Sequence, residues 1–497
     1  MILDMAAAVP GRPAVAAGGQ SVTAAELSEL AAAAAEKFRR YPAVLYLGTN
    51  HLAYPISLFG AAAAGVPFIP LNYRLGDHQL RELLGRNPGA LVIRPEDLDT
   101  LAGLDTVETL TGTVVPGTPT AESLALAGSE DDPVAVVLYT SGTTAAPKAA
   151  LLRHRNLLSY IWNTVEFGSA DESDAALVGV PPYHVAGLAN VLTNLYAGRR
   201  LVYLSAFDPN DWLATVRAER ISHALVVPTM LARVVTELRA AGAVDAGTPS
   251  LRSLAYGGAR MPRPVLEDAL TLFPGVGFVN AYGLTETSSS IAVLGPDDHR
   301  AALESDDPAV RDRLGSVGRP VPGVEFEVRD SGGRVLGPGE AGLIFVRGEQ
   351  VSGEYGGQSA LDAAGWFPTR DRGWVDADGY VFIEGRADDT IIRGGENIAP
   401  AEIEDVLLAH PGILEAAVMG VPDPEWGQRL VAVVVWDPAA ASGEGDPQEI
   451  RAWVRDRLRS SKTPESVVFR SELPKTETGK LLRRVLQADL TSQAAPA

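Results

Sequence analysis

Short apolar runs alternate with amphipathic stretches of helical spacing through roughly the first 300 residues, and few architectures accept that order. "PAVLYLG" precedes a helical pattern near Leu52 to Ala64, and "DAALVGV" precedes one near Val185 to Ala197. "RRLVYLS" precedes "DWLATVRAER", "ISHALVVP" leads into "TMLARVVTELRA", and "LRSLAYGG" into "RPVLEDALTLF". Strands interleaved with helices bury both faces of a sheet, which predicts an α/β fold of mainly parallel sheets covered by helices. The alanine run Ala31 to Ala35 reads as one more helical segment. From about Gly315 the texture changes. "VEFEVRD", "LIFVRG" and "YVFIEGR" are short strands cut by Gly, Asp and Pro turns, which predicts a β-rich subdomain over about 315–385. Beyond it the patterns "PAEIEDVLLAH", "LEAAVMGV", "RLVAVVVW" and "PQEIRAWVRDRL" predict a small α+β C-terminal domain over 386–497, after an N-terminal domain spanning 1–385. The stretch "DPAAASGEGDPQE" inside the small domain reads as a solvated turn.

Charge and composition narrow the chemistry. The net charge is −20, which argues against a nucleic-acid or anionic-membrane surface while leaving room for a small anionic ligand held by local cations. No apolar run approaches a membrane span, and the first residues lack the basic and apolar regions of a secretory signal, so a cytoplasmic protein is expected. The chain has no cysteine, which excludes a thiol nucleophile and thiolate metal sites. Five lysines (Lys37, Lys148, Lys462, Lys475, Lys480) stand against thirty-seven arginines, a hint that the retained ones serve as compact point charges.

Four loops carry candidate chemistry. "LYTSGTTAAPKAALL" follows the apolar run "VAVVL" and groups Thr140, Ser141, Gly142, Thr143, Thr144 and Lys148. Hydroxyls, a glycine and a cation at the end of a parallel strand suit a phosphate cradle, although G-x4-GK[ST] is absent; a polar surface loop is the alternative. "NAYGLTETSS" offers Tyr282 for stacking on a base, Thr285 for a phosphate and Glu286 as a hard oxygen ligand for Mg²⁺; taken alone it also reads as strand–turn–helix with a capping Thr. "GWFPTRDRGWVDADGYVFIEGRADD" offers Asp371 for a ribose diol and Arg386 for a phosphate, its acidic turns otherwise being hairpin connections. "LPKTETGKLLRRVL" places Lys480 after a Thr-Gly turn, where an exposed lysine is otherwise merely solvated.

Taken together, in order and spacing, these loops resemble the adenylate-forming superfamily of acyl- and aryl-CoA synthetases, nonribosomal peptide adenylation domains and luciferases. "VPPYHVAG", "YGGARMP" and "GRADDTIIRGGENIAPAEIE" extend the resemblance over nearly the whole chain. It implies ATP-dependent activation of an aryl or medium-chain carboxylic acid as an acyl-adenylate, with ATP and Mg²⁺ as cofactors and CoA as second substrate; the alternative acceptor is an amine, and a separate carrier protein ranks third. By resemblance, the hydroxyl-rich loop holds the triphosphate, Tyr282 stacks on adenine against the Gly257–Gly258 backbone, and Asn280 lies near the base edge. Asp371 holds the ribose with Arg386 nearby, Thr285 touches the α-phosphate, Glu286 binds Mg²⁺, and Lys480 bridges the acid and the α-phosphate. Asp388 is the implied hinge of a mobile small domain, and Gly394 and Gly395 line the acceptor tunnel. Tyr183, His184, Val185 and Gly187 border the acyl pocket, His184 either orienting the carboxylate or serving as a structural histidine at a strand end. Three positions depart from the family pattern. Ala145 and Ala149 replace glycines of the phosphate loop, and Arg370 stands where T-G-D has glycine.

Overall fold

Six strands run parallel through the middle of one large sheet, in the order Gly277–Leu284, Ser253–Gly257, His223–Val226, Ala175–Val178, Arg200–Tyr203, Pro13–Ala17. Antiparallel strands close its edges, Gln20–Thr23 on one side, Ser289–Leu294 and Arg319–Pro320 on the other. This computed structural model describes residues 2–95, 113–118, 128, 129, 131–140, 147–393, 396–423, 425–437, 445–476 and 480–494. A second large sheet runs Gln358–Ser359, Glu354–Tyr355, Lys148–Arg153, Asp132–Thr140, Phe68–Pro70, Val44–Tyr46, Leu91–Ile93, Thr113–Val114.

The helices expected from periodicity form as Ala53–Ala64, Val185–Ala197, Pro209–Ala218, Pro228–Ala240 and Arg263–Leu272. Their ends obey local chemistry. Asp208 caps Pro209–Ala218 by accepting from the Asn210 and Asp211 amides, and Gly198 ends Val185–Ala197 in the left-handed region. The alanine run lies in helix Ala24–Phe38, opened by a Thr23–Glu26 capping box. Buried Ala31 and Ala34 let this helix approach Ala53–Ala64 closely: a side chain on Gly60 would meet the Ala34 methyl at 2.8 Å. Together with Leu188, Val191 and Leu195 of Val185–Ala197 these helices fill a shared apolar core between the sheets. A second core, built on Trp212, Leu231, Val234, Leu254 and Phe278, covers the other face of the first sheet.

Strands Glu325–Arg329, Gly342–Arg347, Phe367–Val375 and Val381–Arg386 form a separate antiparallel sheet. The same stretch does more than fold on itself. Its Glu354–Tyr355 segment pairs with Lys148–Arg153, fixed by two Arg153–Glu354 hydrogen bonds of 2.9 Å, and so stitches this region to the second large sheet. Beyond the short 3-10 turn Ala387–Asp389, strands Ile413–Asp423, Gly427–Trp436 and Ser466–Arg470 pack with helices Pro400–Leu408 and Pro447–Arg455 around Ile403, Leu407, Val418, Val434 and Ile450. The turn expected in "DPAAASGEGDPQE" falls largely on 438–444, outside the described residues. Among the described residues no helix is long and apolar enough to cross a membrane.

One local expectation is qualified and another changes. Strand Asp132–Thr140, expected to be parallel, is parallel to Phe68–Pro70 on one side but antiparallel to Lys148–Arg153 on the other. "NAYGLTETSS" is a hairpin. Gly277–Leu284 passes through the 3-10 turn Thr285–Thr287 into antiparallel Ser289–Leu294, because Ser288 and Ser289 take positive φ (57° and 107°) and reverse the chain.

Candidate active site

At the ends of strands Asp132–Thr140 and Lys148–Arg153, Thr140 pairs with Lys148, while Ser141, Gly142, Thr143 and Thr144 lie outside the described residues, as do Gly394 and Gly395. The Lys148 ammonium sits 5.4 Å from the centroid of the Tyr355 ring, and the Tyr355 hydroxyl donates to Glu286 Oε1. Burial, then the adjacent carboxylate, push the Tyr355 phenol up, so it remains a donor at neutral pH. Glu286 is 9% exposed, and its position is over-determined. The Thr287 hydroxyl closes the turn by accepting from the Leu284 amide at 3.0 Å, and the Ser352 and Gly353 amides donate to the Glu286 carbonyl at 2.9 and 3.1 Å. Among the described residues no group of three His, Cys, Asp or Glu side chains is placed to hold a metal ion. A lone buried carboxylate beside a phosphate-type loop fits Mg²⁺, which binds through one or two carboxylates plus phosphate oxygens rather than an all-protein cage.

The second constellation is bonded directly. Tyr282 donates its hydroxyl to Asp371 Oδ2, and Arg386 Nη1 donates to Asp371 Oδ1 at 2.9 Å and to the Thr369 carbonyl at 3.1 Å. Asp371 and Arg386 face each other in register across strands Phe367–Val375 and Val381–Arg386, which explains how residues fifteen apart meet. Burial first, and Asp371 second, push the Tyr282 phenol up. The Glu286 charge also acts on Arg386, so the two constellations adjoin. Gly257 and Gly258 border the same cavity; a side chain on Gly257 would lie 2.3 Å from the Ala281 carbonyl oxygen, and Gly258 has φ +84°. Asn280 is tied to the Ser316 carbonyl at 3.1 Å.

Between Thr369 and Asp371, Arg370 has φ 62°. A left-handed backbone costs an L-residue about 1–2 kcal/mol, which accounts for glycine in the family pattern. Glycine's greater freedom in the unfolded chain returns about 0.5–1 kcal/mol of that difference. Arg370→Gly is therefore expected to raise unfolding stability by about 0.5–1 kcal/mol, read as a higher urea midpoint with an unchanged slope. An equal or lower midpoint would show that the arginine side chain more than repays its backbone.

The small domain lines one side of the cavity, which measures about 3320 Å³. Lys480 is exposed on its wall, with its amide held by Thr476 Oγ1 at 3.0 Å and its carbonyl by the Thr476 amide at 2.8 Å. No hydrogen bond joins it to either constellation among the described residues; its charge acts on Asp389 instead. Arg260 borders the cavity and pairs with Asp405 of the small domain. Tyr183, His184 and Val185 border the cavity, with Tyr183 packed edge-on against Tyr73 at 5.7 Å and His184 at the N-cap of helix Val185–Ala197. Gly187 is not on the wall. It is buried, and a side chain there would meet the Pro181 carbonyl oxygen at 2.6 Å, so its role is close packing under the helix start.

Sequence reasoning missed Tyr355. It lies 69 positions from Glu286 with no motif around it, and only the pairing of Tyr355 with Ala150 brings it to Lys148.

Residues 3–356 match the family model of AMP-binding enzymes, and residues 402–480 match the AMP-binding enzyme C-terminal domain. A feruloyl-CoA synthase from Amycolatopsis sp is 37% identical over 95% of each chain. O-succinylbenzoate CoA synthetase (MenE) from Bacillus subtilis, solved with the acyl-adenylate OSB-AMP, superposes with a TM-score of 0.80 at 27% identity, covering 98% of this chain and 97% of that one. The same protein has been solved with ATP and magnesium ion. The amide bond synthetase McbA from Marinactinospora thermotolerans superposes with a TM-score of 0.80 at 26% identity, covering 99% and 98%.

Proposed function

The chain belongs to the AMP-binding enzyme family, and from that premise we propose that it activates a carboxylic acid with ATP and then passes the acyl group to CoA. The observation that carries the reading is the adjacency of the Tyr282–Asp371–Arg386 and Lys148–Tyr355–Glu286 constellations on one cavity that Lys480 also borders. In the first step a carboxylate oxygen attacks the α-phosphorus of ATP, the bond to the bridging oxygen breaks, and pyrophosphate leaves. Both reactants are anions, so the chain's contribution is fixed positive charge and alignment rather than a base. Tyr282 stacks on adenine, and Asp371 accepts from the ribose hydroxyls while Arg386 holds its carboxylate in place. Thr140, Lys148 and the intervening loop grip the outer phosphates, and Thr285 meets the α-phosphate. Glu286 would hold Mg²⁺, which would offset phosphate charge. Lys480 spans the acid and the α-phosphate. In the second step the CoA sulfur attacks the acyl carbon, AMP departs with the bonding electrons, and the thiol proton goes to solvent or to the departing phosphate. ATP and CoA are both supplied in the cytoplasm, where we place the reaction.

We assign residues 1–385 to the nucleotide- and acid-binding domain and 386–497 to a lid that turns about Asp388. Arg386 is bonded to Asp371 and Thr369 of the large domain, and Asp389 is paired with Arg483 of the lid at 3.4 Å. Only Ala387 and Asp388 separate those anchors, so backbone rotation concentrates there. Asp388→Pro fixes φ and is expected to slow thioester formation while leaving pyrophosphate release near the wild-type rate. Parallel loss of both rates would sink the hinge assignment.

A second reading, transfer from the acyl-adenylate to an amine, is favoured by the similarity to McbA over nearly the full chain. Mass spectrometry of products formed from Mg-ATP and a panel of acids, with CoA in one set and amines in the other, tests both. Acyl-CoA supports the first reading. Acyl-AMP that ignores CoA and yields amides replaces it with the second.

A further inference from the structure

Three arginines lie on strands Phe367–Val375 and Val381–Arg386, the ribbon that carries Asp371, and two of them have partners. Arg372 pairs with Glu384 at 3.1 Å, and Arg386 holds Asp371. Arg370 is different. It is exposed on the wall of the cavity and forms no hydrogen bond or ion pair among the described residues.

The backbone is built to present it there. Pro368 and Arg372 pair with Phe345 and Leu343, so Thr369, Arg370 and Asp371 all stand opposite the single residue Ile344. Such a bulge bends its strand and re-aims a side chain, and bulges concentrate beside functional sites. This one is pinned on both sides of Arg370. The Thr369 hydroxyl donates to the Ile344 carbonyl at 2.8 Å and accepts from the Asp371 amide at 3.1 Å, and both flanking residues are buried. With Arg370 at φ 62°, the chain keeps a bulky cation in a conformation that glycine adopts without strain. Strain of this kind persists where the surroundings over-determine it, and it collects at ligand clamps.

The position of the charge shows in what it acts on. Burial and then Glu286 push the Tyr355 phenol up, and Arg370 and Arg386 oppose them. Arg370 therefore lies within electrostatic reach of the Lys148–Tyr355–Glu286 constellation. The side chains of that constellation sum to zero, Lys148 against Glu286, so Arg370 adds the excess positive charge that favours a polyphosphate.

We propose that Arg370 is an additional phosphate-binding residue, whose guanidinium contacts the polyphosphate of ATP from the large domain. The inference rests on the acid-activating reading and adds to it a cation at a position where the family pattern has glycine. A planar guanidinium donates to two phosphate oxygens at once, and a pinned strand holds it more firmly than a loop would. Unlike Lys480, it keeps its place on the nucleotide whichever way the small domain turns.

Calorimetric titration of the full chain with Mg-ATP, AMP and CoA, for wild type, Arg370→Gly and Arg370→Gln, tests the contact. Glycine relieves the backbone and removes the cation, whereas glutamine keeps the strained backbone but carries no charge. Both variants are expected to bind Mg-ATP at least ~10-fold more weakly, the scale of one hydrogen bond to a charged group. AMP affinity should stay within about threefold of wild type, since AMP lacks the outer phosphates. Because glycine fits the native backbone, that variant reports on the contact even if glutamine perturbs the fold. Wild-type affinity for Mg-ATP in either variant overturns the proposal. So does an equal loss for AMP, which would place the effect at the ribose through Asp371, or a loss confined to CoA, which would assign the arginine to the acceptor's phosphates. Acid-dependent exchange of labelled pyrophosphate into ATP, run with a panel of acids, isolates the underlying reading: an Arg370-dependent hold on Mg-ATP without exchange sinks acid activation and leaves the phosphate contact standing.

Discussion

Replacing Lys480 by alanine is expected to slow acyl-adenylate formation by about 10²–10³-fold, the usual loss when one preorganised charge-stabilising group is removed from a reacting centre. Thioester formation from acyl-AMP supplied directly should change far less, because in the proposed mechanism the lysine acts while negative charge builds between acid and triphosphate. The fold should tolerate the change. Lys480 is exposed, and the loop that carries it is held through backbone groups and the Thr476 hydroxyl, which alanine leaves intact. Pre-steady-state pyrophosphate release and thioester formation, measured separately, check the result. Adenylation within a few-fold of wild type, or equal loss in both halves, would remove Lys480 from the reacting centre.

Asp371→Asn should act on nucleotide binding instead. The carboxylate takes a hydrogen bond from Tyr282 and another from Arg386, and it is 5% exposed. The amide can still accept from one of them, but it loses the charge that orders Arg386. A hydrogen bond to a charged group contributes about 1.5–3 kcal/mol, so the ATP KM is expected to rise about 10- to 100-fold. Because Arg386 stays partly exposed, water relieves its lost partner and the stability cost should stay below that of a fully buried pair. A titration of ATP against pyrophosphate release, with urea unfolding alongside, separates the two effects. An unchanged KM in a folded variant would detach Asp371 from the ribose.

Arg370 and Glu286 illustrate how unevenly the site could be read in advance. Glu286 stands out in sequence because a hard carboxylate follows directly on a hydroxyl at the end of a strand, and the structure buries it beside Lys148 and Tyr355. Arg370 stands out only as a departure, and its meaning appears in the backbone, which is left-handed there. The hairpin form of "NAYGLTETSS" was not legible, since a polar stretch after an apolar strand looks the same whether the chain turns back or enters a helix. Tyr355 carries no local signal at all.

What the sequence determined by itself is therefore the local part. The 3.6-residue and two-residue periods set the helices and strands, capping and turn residues set their ends, and the order of the loops identified the family. What only the tertiary structure decided is which distant residues share an environment. Cross-strand register places Asp371 opposite Arg386 and Tyr355 beside Lys148. Periodicity records which face of an element is apolar, whereas the burial of a particular amide or carboxylate depends on the surfaces that other segments bring to it, often from a hundred residues away.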